Sequence, residues 1–154
     1  YAEELMGKTY CWITEQKPHR IVALFTLAND SIKTLHLDKT TRNRLNRPID
    51  NPKRGRSYPA TLIGRIGVNQ EFQGMNVGSQ LMQFIKDWFR HEDNKTGCRF
   101  LVVDAYNNPR TLRFYEHNNF RFLHGDEAEE CAYYNIPDDD KIATRLMYFD
   151  LKKP

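Results

Sequence analysis

A chain of 154 residues that is 40% hydrophobic has the length and apolar content of one soluble domain, spanning 1–154, with its own core. Lys and Arg total 23 against 20 Asp and Glu, so the net charge is only +3 and any strong field must be local. No apolar stretch approaches the roughly 18–20 residues that cross a bilayer, and no charged-then-apolar signal opens the chain, so a cytoplasmic protein without membrane contact is expected.

The opening residues Tyr1-Ala2-Glu3-Glu4-Leu5 read as the tail of a helix. Tyr10–Glu15 and Arg20–Leu27 then read as strands around a turn holding Lys17, Pro18 and His19, and Ala60–Val68 reads as a third, which together predict an antiparallel meander. Between them, Asp38 to Tyr58 resembles a linker. Val77–Arg90 places Val77, Leu81, Phe84, Ile85, Trp88 and Phe89 at spacings of three and four, the apolar stripe of a helix lying on a sheet. Phe100–Val103 is continuously apolar, as in a strand covered on both faces. Asn108 before Pro109 supplies an N-cap and a first-turn proline, Asn119 suits the helix end, and Ala143–Leu151 reads as a last strand. The three cysteines, Cys11, Cys98 and Cys131, are odd in number and lack metal-ligand spacing, so reduced thiols and no metal site are expected.

The turn Gln73-Gly74-Met75-Asn76-Val77-Gly78 joins a strand to a helix. A glycine-bearing turn of this kind brings backbone N–H groups together at the positive end of a helix dipole, a place for a phosphate. Taken alone, two glycines there serve equally to end a strand or to let a helix pack closely.

The order of signatures narrows the choice. Gln-x-x-x-x-Gly opening a helix, an apolar strand, and then Asn108-x-x-Thr111-x-x-Phe114-Tyr115-x-x-x-Asn119-Phe120 resemble the GNAT superfamily of N-acetyltransferases over roughly residues 10–123. The resemblance implies an α/β GNAT fold: a mixed, mostly antiparallel central sheet with splayed middle strands, flanked by helices. It also implies a strand and helix ahead of Tyr1, so the chain is expected to enter partway through them. Acetyl-coenzyme A is the implied co-substrate, its pyrophosphate lying on Gln73, Gly74, Met75, Asn76, Val77, Gly78 and Ser79. Asn76 stands where the family's first motif glycine is usual; asparagine reaches the left-handed region readily and keeps its N–H, so the turn can survive. The strand Leu62–Val68 is implied to lend backbone groups of Ile66 and Val68 to the pantetheine arm, as an added strand would pair. Asn108 is a cap, or a cap that also bonds the arm.

Acetyl transfer from a thioester to an amine needs a neutral amine, a polarised carbonyl and a proton for the thiolate. By resemblance Tyr115 supplies that proton as the catalytic acid; its other reading is a packed core tyrosine, since Leu112, Tyr115 and Asn119 share a helix face. Many family members carry a glutamate base on the strand where this chain has Arg65; Glu71 is a candidate base through water, although a glutamate in such a turn is more often solvated surface. The strings Val102-Val103-Asp104-Ala105 and Arg113-Phe114-Tyr115-Glu116-His117 resemble the branch of GNAT toxins that acetylate aminoacyl-tRNA, whose weakly basic amine removes the demand for a strong base. An amine acceptor, tRNA among the candidates, is thus implied, and an antitoxin or a second copy in a homodimer are further candidate partners. Lys39–Arg56 carries Lys39, Arg42, Arg44, Arg47, Lys53, Arg54 and Arg56 against Asp50, a local charge of +6 that is either a polyanion site or solvated surface. Asp126–Asp140 is its acidic counterpart, with seven carboxylates that could neutralise it in cis. The competing class is a catalytically idle GNAT-like module that binds RNA or a protein through the basic segment.

Overall fold

The structure is a computed structural model that describes residues 4–52, 57–94, 97–137 and 140–152. Six strands form one sheet: β1 (Lys8–Ile13), β2 (Ile21–Lys33), β3 (Ser57–Val68), β4 (Phe100–Tyr106), β5 (Arg121–Phe122) and β6 (Thr144–Asp150), in the order β1-β2-β3-β4-β6-β5. Every neighbouring pair is antiparallel except β3 and β4, which run parallel. The expected meander is β1 to β3, but β2 runs six residues past the predicted end at Leu27 to Lys33. Polar Asn29, Asp30 and Ser31 break the apolar pattern there, while full pairing with Ser57–Thr61 holds the strand.

Helices α1 (Lys39–Asn46), α2 (Val77–Arg90), α3 (Pro109–His117) and α4 (Glu127–Tyr134) cover the two faces. Sequence periodicity misses α1, because KTTRNRLN has a single apolar residue. It forms from its cap: the Asp38 carboxylate accepts from the N–H groups of Thr40 at 2.6 Å and Thr41 at 3.2 Å, and Leu45 buries against Tyr58 and Phe100. Among its described residues, the linker-like stretch therefore holds a helix and the start of β3. α4 arises in the acidic segment in the same way, with Asp126 accepting from Glu129 N–H at 2.8 Å.

Alternation along the strands divides the core. Ala23, Phe25, Ile63, Leu101, Val103 and Met147 meet α2 and α3, whereas Ile32, Tyr58, Phe100, Val102 and Tyr148 meet α1 on the opposite face. On α2, Leu81, Met82 and Ile85 are buried as expected, but Phe84 and Trp88 remain 41% and 40% exposed. They overhang the β1 edge, Phe84 meeting Trp12 and Trp88 meeting Tyr10 edge to face at 5.4 Å and 5.0 Å between ring centroids. The unforeseen member of the buried stripe is Lys86, whose ammonium donates to the Asn118 carbonyl at 2.6 Å and lies 4.2 Å from the Phe149 ring centroid.

Burial pushes the Lys86 amine down to about 8. The folded state then binds fewer protons than the unfolded one between about pH 8 and the ordinary lysine value, so stability rises with pH through that window. Lys86→Met should abolish this rise, flattening the pH 8–10 limb of an unfolding free-energy profile by on the order of 1 kcal/mol; denaturant titrations of both proteins at several pH values measure it.

Candidate active site

β3 and β4 are joined over only three residue pairs, Ala60 with Phe100, Thr61 with Leu101 and Leu62 with Val102. Beyond Leu62 and Val102 no pairing joins them among the described residues, and the sheet opens there into a cleft. The register of β2 against β3 shifts between Thr26 and Leu27, so that Gly64 is the extra residue of a bulge at the point of parting. Asn69 N–H donates to the Val22 carbonyl at 2.9 Å. Antiparallel alternation then turns the backbone groups of Gly67 and Arg65 toward β2 and those of Ile66 and Val68 toward the opening. The Val68 carbonyl is taken by the Gln73 side-chain amide at 3.1 Å, which pins the following turn to the strand end.

The turn itself has Gly74 at φ 81° and Asn76 at φ 59°, so asparagine does occupy the left-handed region at the start of α2. Gln73 N–H donates to Gln70 at 3.2 Å and Gln80 N–H donates to Asn76 at 3.1 Å. Between them, the six N–H groups of Gly74, Met75, Asn76, Val77, Gly78 and Ser79 make no hydrogen bond among the described residues. They form a row of free donors at a helix N-terminus, with the chemistry of an anion cradle. Gly78 meets a second demand: a Cβ there would lie 3.0 Å from Phe114 Cε2, so the glycine lets α2 close on α3.

Asn108 and Tyr115, seven residues apart, lie two turns apart on one face of α3. The Asn108 side-chain oxygen caps the helix, accepting from Thr111 N–H at 2.9 Å, and its NH₂ makes no hydrogen bond among the described residues. Tyr115 is 6% exposed, its ring packed against Phe114 at 5.2 Å and Phe120 at 5.6 Å. The ring is part of the core, and the hydroxyl makes no hydrogen bond among the described residues. Burial pushes the phenol up to about 12, which keeps it protonated at neutral pH.

Of the carboxylates, Glu71 is held at the surface by Arg20 at 2.8 Å. Asp104 lies on the parted end of β4, on the face opposite α2. Burial raises its carboxyl, and the nearby charges of Asp30 and Glu130 raise it further. Its one signal in the sequence is a carboxylate breaking an apolar strand. Tyr134 on α4 feels the same group: its phenol is raised by burial first and by Asp104 second.

The basic segment is present in part as α1, with Lys39, Arg42, Arg44 and Arg47; Lys53, Arg54 and Arg56 lie outside the described residues, as do Asp138 and Asp139 of the acidic segment. Neutralisation of one by the other is not what the described residues do. Glu130 and Glu127 bind Arg145 at 2.6 and 3.4 Å, and Glu129 bonds His124 at 3.2 Å. No group of three or more His, Cys, Asp or Glu among the described residues could hold a metal ion, and no helix among them is long and apolar enough to cross a membrane.

A family model described as the acetyltransferase (GNAT) family matches residues 43–120. No curated protein matches in sequence. Among solved structures, AtaT in complex with acetyl-methionyl-tRNAfMet aligns with TM-score 0.68 at 16% identity, covering 97% of this chain and 74% of that one. A tyrosine-to-phenylalanine mutant of the AtaT toxin bound to the C-terminus of the antitoxin AtaR and acetyl-CoA aligns with TM-score 0.58 at 14% identity, covering 97% and 71%. A tyrosine-to-phenylalanine mutant of KacT gives 0.61 at 15%, covering 97% and 74%.

The Gly78 contact yields a direct check. Gly78→Ala should destabilise the protein by about 1–3 kcal/mol through overpacking on Phe114, and Phe114→Leu in the same chain should restore part of that loss; denaturant unfolding of the single and double variants tests it.

Proposed function

The chain belongs to the acetyltransferase (GNAT) family, and from that premise we propose that it transfers the acetyl group of acetyl-coenzyme A to a primary amine, with an aminoacyl-tRNA as acceptor. The observation that carries the reading is the row of six free N–H groups at the mouth of the β3–β4 cleft, with Tyr115 behind it on α3. The coenzyme pyrophosphate lies on the row, and the pantetheine amides pair with Ile66 and the Val68 N–H while Asn108 bonds the arm from α3. The acceptor amine approaches from the Asp104 face and attacks the thioester carbonyl carbon. The new C–N bond forms as the C–S bond breaks, the Tyr115 hydroxyl gives its proton to the departing sulfur, and the amine's surplus proton passes to Asp104 or to water.

An aminoacyl ester suits this site because its weakly basic amine is neutral in a far larger fraction near pH 7 than a lysine amine is, and asks little of a base. The cations of α1 favour a polyanionic acceptor. The likeness to AtaT, a toxin seen with a tRNA and with the C-terminus of an antitoxin, supports both the acceptor and an antitoxin partner.

Two substitutions separate binding from chemistry. Met75 is 62% exposed in the donor row. Met75→Glu should weaken acetyl-coenzyme A at least about tenfold in calorimetry by setting a negative charge beside an anion, whereas Met75→Gln should bind nearly as the wild type does. Tyr115→Phe keeps the ring and should lower turnover on the order of 10²–10⁴-fold with coenzyme affinity nearly unchanged. Mass spectrometry of the aminoacyl group reads the turnover; full activity without the hydroxyl would refute its role as acid.

A further inference from the structure

A second anion site stands at the other end of the sheet. A cavity of about 440 Å³ opens beside Phe100, the first residue of β4, and Asp150, the last of β6. The coenzyme turn follows Val68, at the opposite end of β3. With Ala60 level with Phe100, the eight residue steps from Ala60 to Val68 separate the two places by roughly 25 Å of strand.

Three guanidinium groups line this cavity: Arg44 and Arg47 at the end of α1, and Arg121 at the start of β5. Arg44 is fixed in place, donating to the backbone carbonyls of Phe122 and Leu123. Neither the Arg47 nor the Arg121 side chain makes a hydrogen bond or ion pair among the described residues. The one carboxylate in the wall, Asp150, is already spent, bound by Arg99 at 2.7 Å and 2.9 Å. The Tyr148 hydroxyl group feels the field: burial raises its phenol first, Arg44 and Arg121 oppose that rise, and Asp150 adds the smallest contribution in the upward direction. Asn119 adds an amide to the rim. Three cations around a concavity with its own acid neutralised are a recognition site for a doubly hydrogen-bonding anion, since a guanidinium fork matches two oxygens of a phosphate.

We propose that this cavity, built by Arg44, Arg47 and Arg121, binds a phosphodiester of the polynucleotide acceptor. The identity of the acceptor rests on the reading above; the site itself does not. Arg121 belongs to neither charged segment of the sequence and comes to the pocket only through the fold, which is why a charge run on α1 becomes a shaped site rather than a diffuse surface. With this phosphodiester held at the closed end of the sheet, the chain of the acceptor runs along the α1 and α4 face toward Asp104 and the cleft.

The experiment is binding of a labelled single-stranded RNA hexanucleotide, read by fluorescence anisotropy from low to moderate salt, without turnover. Arg47→Ser/Arg121→Ser should weaken it at least about tenfold and shallow the logarithmic salt slope by about 1.4, two cations at ~0.7 each for a single strand. Lys39→Ser/Arg42→Ser removes the same charge from outside the cavity and should cost clearly less. Equal losses in the two double variants, or wild-type affinity in the first, would overturn the site. Inorganic phosphate should compete only at millimolar concentration; saturation at micromolar concentration would overturn the polynucleotide as occupant. Acetyl-coenzyme A affinity should be unchanged in both double variants. A protein that binds the hexanucleotide as described yet acetylates no aminoacyl-tRNA keeps this site and loses the proposed acceptor.

Discussion

Everything the site can do depends on β3 and β4 letting go of each other. Three residue pairs hold them parallel, and the Gly64 bulge then turns β3 away while β4 stays paired with β6 along its whole length, from Phe100 to Tyr106. A parted pair inside a sheet leaves backbone donors and acceptors unpaired, which costs free energy unless something else pairs with them. The strand end manages part of this alone, through the Gln73 amide on the Val68 carbonyl. The rest stays open as a ready template for an amide-rich chain, so the fold keeps its binding energy in reserve as unsatisfied backbone rather than in side chains.

The same economy places site residues inside the core. Tyr115 is held between Phe114 and Phe120, and Gly78 is held against Phe114. One phenylalanine therefore fixes both the helix that carries the proposed proton donor and the helix whose N-terminus carries the donor row. Asn118 strengthens the link, its amide reaching Ser79 at 3.3 Å while its carbonyl receives the Lys86 ammonium at 2.6 Å. Packing here sets the distance between binding and chemistry, and small volume changes at this contact act on both.

What could be read from the sequence follows the same division. α2, the capped start of α3 and the left-handed Asn76 were legible because each leaves a local mark: a period of three to four, an Asn-Pro cap, a residue tolerant of positive φ. The family resemblance rested on those marks. α1 and α4 were not legible, since eight residues are too few to establish a period, α1 having a single apolar residue and α4 opening on acidic ones, and only the caps Asp38 and Asp126 announce them. Asp104 and Arg121 were missed for a different reason. Each is an ordinary polar residue in its own segment, and acquires meaning only from neighbours brought from elsewhere in the chain, Asp30 and Glu130 in one case and Arg44 and Arg47 in the other.

The distribution of charge gives the arrangement its logic. From Ile66 to Ser79 there is no Lys or Arg, and the single charged residue, Glu71, is paired with Arg20. An anion at that turn is met by neutral amide dipoles, whose pull is short in range and strict in geometry. The guanidinium groups of Arg44, Arg47 and Arg121 lie at the far end of the sheet, beyond about two Debye lengths at physiological salt. A coenzyme with a compact pyrophosphate and an acceptor with many phosphates would therefore be drawn to different ends of one sheet. Had the turn been built from lysines and arginines, the longer polyanion would compete for it at every encounter. Under the proposed function, recognition of the small anion by backbone and of the large one by side chains would let both bind at once, as direct transfer between them requires.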